Sequence, residues 1–173
     1  MVQLFRCKIC GDPYIGETAP SRCPHCGAYE KFMVLAKDYN ETFDVDLNET
    51  DRKNAEIALG LEIGNTAFYY CAAEKTDDVE GKQLFKALAK VEAEHASIWR
   101  KILKAPKEKI EAAMQCAIAN NDNLKESHER EEKAIEHYKK FAEEAENPRV
   151  KMLFLAIVEV ETDHLKLSED RLN

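Results

Sequence analysis

A chain of 173 residues holds one ordinary domain, or one domain with a small appendage, and excludes a large multi-domain assembly. Apolar residues at 45% lie in the globular range, and charged residues at 34% exceed the roughly 25% usual in soluble domains, which points to a charge-rich helical fold. The net charge of −8 repels polyanions, the longest apolar runs (67–73 and 152–158) are far short of the about 20 residues of a membrane span, and no apolar leader opens the chain, so a cytoplasmic protein without nucleic-acid or membrane partners is expected.

The first element is set by cysteines. Cys7-x-x-Cys10 and Cys23-x-x-Cys26 stand 12 residues apart, each pair followed by a glycine, Gly11 and Gly27. In a reducing compartment two such pairs read as four thiolates around one metal rather than as disulfides, with glycine allowing the tight bend that aims both sulfurs inward. Zn²⁺ and iron both accept tetrahedral sulfur, so the spacing leaves the metal open. So short a segment cannot bury enough core alone, and residues 1–36 are expected to be a metal-stapled module. Residues 37–48, polar and acidic with scattered Tyr39, Phe43, Val45 and Leu47, read as a linker that partly packs. Cys71 and Cys116 lie far from the other four and read as small core residues.

Residues 49–173 carry 3.6-residue apolar periodicity with few Gly or Pro, and predict four long helices. Cap signals place their starts at Asn48–Asp51, Asp77-x-x-Glu80, Asn123-x-x-Glu126 and Asn147-Pro148. The stretch from Pro106 to Asn121 joins the second helix to the third. Apolar residues at Ile110, Met114, Ala117 and Ile118 predict that it is partly helical, a crossover between two antiparallel hairpins.

A shift of 69 residues superposes Glu62 on Glu131, Tyr69 on Tyr138, Leu84 on Leu153, Phe85 on Phe154, Glu92 on Glu161 and His95 on His164 without a gap. The bundle is therefore a duplicated hairpin. In each half one helix offers a Glu, and 30 residues later the next offers Glu-x-x-His, whose spacing of three puts both side chains on one face. Phe85, Leu88, Trp99 and Ile102 flank Glu92 and His95 on that stripe, so these polar residues interrupt an inward-facing seam. Four buried carboxylates need compensating charge, which two divalent cations supply. One Glu from each of two helices plus Glu-x-x-His from each of two others is the ligand set of a carboxylate-bridged di-iron or di-manganese site.

The bundle resembles the ferritin-like di-iron proteins, and CKICGDPYIGETAPSRCPHCGAYEKF resembles the rubredoxin-type module of the rubrerythrins, here at the N-terminus where that family more often has it at the C-terminus. The fold class implied is mainly α: a ferritin-like four-helix bundle with a small rubredoxin-like domain. The resemblance implies one iron at Cys7, Cys10, Cys23 and Cys26, with Zn as the alternative. It also implies a di-iron centre on Glu62, Glu92, His95, Glu131, Glu161 and His164, with Glu92 and Glu161 bridging. Tyr69 and Tyr138, two turns past Glu62 and Glu131, are by the same resemblance hydrogen-bonded near the irons. The implied activity is reduction of hydrogen peroxide to water in defence against oxidative stress, with an external electron donor feeding the tetracysteine iron. Alternatives are a ferroxidase or dioxygen-reducing protein and, from another class, a non-catalytic zinc-ribbon adaptor.

Rubrerythrins usually carry a second carboxylate one turn after the third-helix ligand, where this chain has Ala134. His128, Glu129 and Glu132 are the candidate substitutes, and the repeat favours Glu131 in a symmetric six-ligand site. A homodimer or larger homo-oligomer is expected. Because the module hangs from the end of the first helix by about a dozen residues, electrons are expected to pass from one chain's module to its partner's bundle.

Overall fold

The computed structural model describes residues 1–113 and 115–172. The N-terminal module is a small antiparallel sheet in the order β2-β1-β3, with β1 at Gln3–Cys7, β2 at Pro13–Gly16 and β3 at Met33–Leu35. Its two cysteine turns repeat one geometry: Gly11 and Gly27 have φ of +87° and +72°, and each amide donates to the carbonyl of the first cysteine of its pair at 2.9 Å. That left-handed backbone is open to glycine at little cost, which is why each Cys-x-x-Cys ends on one. Ile9 N and Asp12 N donate to Cys7 Sγ and Cys10 Sγ, both at 3.4 Å. Apart from the sulfurs the module buries little, chiefly Phe5, Ile9, Ala28 and Met33.

Four helices follow: α1 Glu49–Lys75, α2 Val79–Leu103, α3 Asn120–Glu144 and α4 Pro148–Leu172. α1 packs mainly on α2 and α3 on α4, the two hairpins that the repeat predicts. Three starts carry the expected chemistry with one shift of register. Asn48 caps α1 by accepting from Asp51 N at 2.7 Å, and Asn147 Oδ1 accepts from Arg149 N at 2.9 Å beside Pro148. The second helix is capped by Asp78, which accepts from Gly81 N, rather than by Asp77. Asp77 instead accepts from Asn120 N at 3.0 Å and so secures α3, which begins three residues before the predicted Asn123. Asn123 is buried and grips the crossover, with Oδ1 accepting from Ala117 N and Nδ2 donating to Ala117 O.

The crossover itself corrects the sequence reading. Among its described residues no helix forms between Lys104 and Ala119; Met114 lies outside them. The physical reason is its tethering: Ala113 N donates to Ala67 O, Asp77 N donates to Ile118 O, and Asn123 takes both backbone groups of Ala117. Those backbone groups are bonded to other segments and not within a helical turn. A second correction concerns Cys71 and Cys116, which are not separate core residues but a disulfide joining α1 to the crossover across 45 residues. Closing a loop of that length is worth about 2–4 kcal/mol. With the bridge oxidised, Cys116→Ser is expected to lower stability by about that amount while leaving metal content unchanged; denaturant unfolding without reductant, with metal analysis, checks both.

No helix is long and apolar enough to cross a membrane among the described residues. The linker does pack. Arg6 lies 3.7 Å from the ring centroid of Tyr39, and Arg149 lies 5.0 Å from that of Phe43.

Candidate metal centres

Within the bundle, α1 contributes Glu62, α2 Glu92 and His95, α3 Glu131, and α4 Glu161 and His164. All six are buried, and all but His164 are wholly inaccessible. They form two overlapping groups of donor atoms, Glu62, Glu92, His95 and Glu161 in one and Glu92, Glu131, Glu161 and His164 in the other. The shared members face both ways. His95 Nδ1 lies 3.4 Å from Glu92 Oε2 and 3.1 Å from Glu161 Oε1, whereas His164 Nδ1 lies 2.9 Å from Glu92 Oε1 and 2.8 Å from Glu161 Oε2. Each oxygen of the two central carboxylates thus addresses a different histidine, while Glu62 and Glu131 stand at opposite ends.

The donor chemistry fits two divalent cations. Both oxygens of Glu92 and Glu161, Oε2 of Glu62 and Glu131, and Nδ1 of both histidines are buried without a hydrogen bond among the described residues. The histidine–carboxylate distances are short, yet the atoms are not aligned as donor and acceptor; they point at common centres. Unpaired buried carboxylates are too costly to persist as a packing feature. Burial pushes Glu62 and Glu131 far above the ordinary carboxylate range, with Glu92 adding to the first and Glu161 to the second. Burial opposes protonation of His95 and His164, but the surrounding carboxylates outweigh it and raise both. Cations in the two positions would replace those protons.

The tyrosines act reciprocally across the repeat. Tyr69 O–H donates to Glu131 Oε1, and Tyr138 O–H donates to Glu62 Oε1, so each half orients the terminal carboxylate of the other. Ser127, which the sequence did not single out, lies 2.9 Å from the Tyr69 hydroxyl. Its repeat mate is Ala58, so only one arm has this extension. Glu129 and Glu132 are exposed, and His128 Nε2 faces Glu132 at 3.5 Å, so none of the three candidate substitutes enters either donor group. The Trp99 and Phe154 ring centroids are 4.4 Å apart, and the indole N–H is buried without an acceptor among the described residues. His25 is exposed and His137 bonds the carbonyl of its own helix at Lys133.

In the module all four sulfurs converge, with Cys7 and Cys26, and Cys10 and Cys23, each 3.7 Å apart. They cannot all ionise without a cation: the neighbouring sulfurs, Cys23 first, together with burial push Cys10 far above its usual range. One tetrahedral metal ion fits this set.

The module lies against its own bundle, which corrects the expectation of a distant appendage. His95 Nε2 and the Cys26 carbonyl oxygen are 3.0 Å apart. Lys101 Nζ donates to Cys10 O at 2.8 Å, Arg149 Nη2 to Ile9 O at 3.3 Å, and Arg22 pairs with Asp163 at 2.8 Å. A Cβ on Gly27 would stand 2.8 Å from Val160 Cγ1, so the second glycine also permits the close approach to α4. The linker allows it because twelve extended residues reach about 40 Å, as long as a 25-residue helix. His164, the repeat mate of His95, has no such partner among the described residues.

These features define a ferritin-like four-helix bundle bearing paired carboxylate–histidine groups and an N-terminal tetracysteine module. The family model for rubrerythrin matches residues 53–170, and the chain belongs to that family. It is 33% identical over 110 residues to reverse rubrerythrin-1 of Clostridium acetobutylicum, a match covering 57% of this chain and 61% of that protein's length. The N-terminal position of the tetracysteine module is consistent with that relative's name. No solved structure gives a significant match. Family membership implies iron.

Proposed function

We propose that this protein is a cytoplasmic peroxide reductase acting in oxidative-stress defence, as a homodimer or larger homo-oligomer, with the overall reaction H₂O₂ + 2H⁺ + 2e⁻ → 2H₂O. The observation that carries this reading is the contact between His95 Nε2 and the carbonyl of Cys26. It joins the two donor sets by one hydrogen bond, an arrangement of use to an electron-fed oxidant sink and of none to iron storage. Iron held by Cys7, Cys10, Cys23 and Cys26 would accept electrons from an external donor one at a time, two for each turnover.

Iron in the bundle would supply the two electrons for cleavage of the O–O bond and stabilise both departing oxygens. The chain's own residues do the rest. Glu92 and Glu161 hold the two cation positions together; His95 and His164 present neutral Nδ1 atoms, one to each. Tyr69 and Tyr138 fix the outer carboxylates. The His95 Nε2–H, held by the Cys26 carbonyl, keeps that ring in the tautomer whose Nδ1 is free to ligate. The buried carboxylates also count against a non-catalytic zinc adaptor, which has no use for them.

Reduced protein is expected to be oxidised at least about tenfold faster by hydrogen peroxide than by dioxygen at equal concentration, a barrier difference of about 1.4 kcal/mol. Stopped-flow absorbance at the tetracysteine iron checks this. Faster oxidation by dioxygen would move the assignment to a ferroxidase or oxidase.

A further inference from the structure

A second site is built on the outer face of the first hairpin. Between α1, α2 and the crossover lies a cleft of about 600 Å³. The α2 residues lining it, Lys90, Ala93, Glu94, Ser97 and Arg100, recur at three- and four-residue spacing, one stripe of the helix surface. Arg100 is only 8% exposed, yet its guanidinium makes no hydrogen bond or ion pair among the described residues, and its nitrogens keep open surface. A guanidinium stays charged at any physiological pH, and an enclosed one that faces a cleft can donate to a ligand's oxygens without giving up a partner in the protein.

The charges around the cleft define which kind of ligand. Lys109 is neutralised by Glu111 at 2.7 Å and Glu94 by Lys101 at 3.5 Å, which leaves Lys90, Arg100 and Lys107 as cations without an ion pair among the described residues, against Glu74 and Glu108. Arg100 alone of these five is buried, so its interaction with a ligand is the least screened. Tyr70 and Ile110 add a flat and an apolar surface beside it. The volume lies within the range of about 300–1,000 Å³ typical of small-molecule sites and is far more than a bare oxyanion fills.

We propose that this cleft binds a phosphate-bearing small molecule, with the phosphate against Arg100 and the organic part along Tyr70 and Ile110. A forked guanidinium matches phosphate oxygens two at a time, and Lys107 on the crossover lies at the same cleft to add a point charge. The inference does not depend on the chemistry of the bundle metals.

The test is calorimetric titration of the metal-loaded full chain with AMP, adenosine and inorganic phosphate in turn. AMP is expected to bind and adenosine to bind at least about tenfold more weakly, with Arg100→Gln weakening AMP by a similar factor. Inorganic phosphate binding as tightly as AMP would support the phosphate contact and identify the free anion as the ligand. AMP and adenosine binding alike, or no binding of AMP or phosphate at millimolar concentration, would overturn the proposal. Thermal melting reports whether Arg100→Gln folds. If it does not, Lys107→Gln, on the exposed crossover, takes its place with a smaller loss expected, and unchanged AMP affinity there would equally overturn it.

Discussion

Glu161→Ala is expected to remove both bundle metal ions, lowering total metal from about three per chain to about one, while the visible spectrum of the tetracysteine site stays intact. The size of the effect follows from position. Glu161 belongs to both donor groups, with one oxygen 3.1 Å from His95 Nδ1 and the other 2.8 Å from His164 Nδ1. Its loss therefore opens both positions and leaves three buried carboxylates with less to hold a compensating charge. Glu131→Ala touches one group only and is expected to cost about one ion; it also frees the Tyr69 hydroxyl, which then keeps only Ser127. Glu132→Ala is expected to be silent, since that side chain is exposed, faces His128 and belongs to neither donor group. Metal analysis of the three variants separates these outcomes, and a Glu132 variant more damaging than the Glu131 variant would put the third helix in another register.

How much of this was legible in the sequence depended on whether the signal was local or periodic. Glu62, Glu92, His95, Glu131, Glu161 and His164 could be picked out because duplication prints each twice at one offset, and because a carboxylate in an apolar stripe contradicts its surroundings. The four cysteines were legible because two short turns with glycine repeat one geometry. The crossover was misread because Ile110, Ala117 and Ile118 imitate a helical period while the backbone groups of Ala113, Ala117 and Ile118 bond to Ala67, Asn123 and Asp77, which periodicity does not encode. The Cys71–Cys116 bridge was missed for the same reason: 45 residues separate its ends, and only the folded path of the crossover brings them together. Ser127 had no signal, because its role exists only opposite a tyrosine from another helix. Asp77 and Asp78 show the limit of cap reading, since adjacent aspartates serve two different helices and the sequence does not say which takes which.

The placement of the module was the largest departure, and it changes the outcome of one experiment. A mixture of Cys10→Ser chains, dead in the module, and Glu92→Ala chains, dead in the bundle, is expected to recover no peroxide reductase activity even after subunits exchange. With delivery between chains such mixed assemblies would pair an intact module with an intact bundle. The contacts favour delivery within a chain. The ion pairs Arg22–Asp163 and Lys31–Glu159 sit at a half-exposed rim and are worth only about 0–1 kcal/mol each. The restraint that decides is buried: His95, wholly inaccessible, meets Cys26 O at 3.0 Å, and Arg149, 8% exposed, donates to Ile9 O. Breaking either leaves a buried polar group unpaired, at about 1–3 kcal/mol apiece, and Gly27 lies too close to Val160 at the same junction to admit a Cβ. The covalent route from Cys26 Sγ runs through its own carbonyl, across one hydrogen bond and into the His95 ring whose other nitrogen faces Glu62, Glu92 and Glu161. Native mass spectrometry would verify that mixed assemblies form. Activity approaching that of the unmutated protein in them would mean that modules serve the neighbouring chain's bundle, and that the contact between Cys26 and His95 is made across an interface in solution.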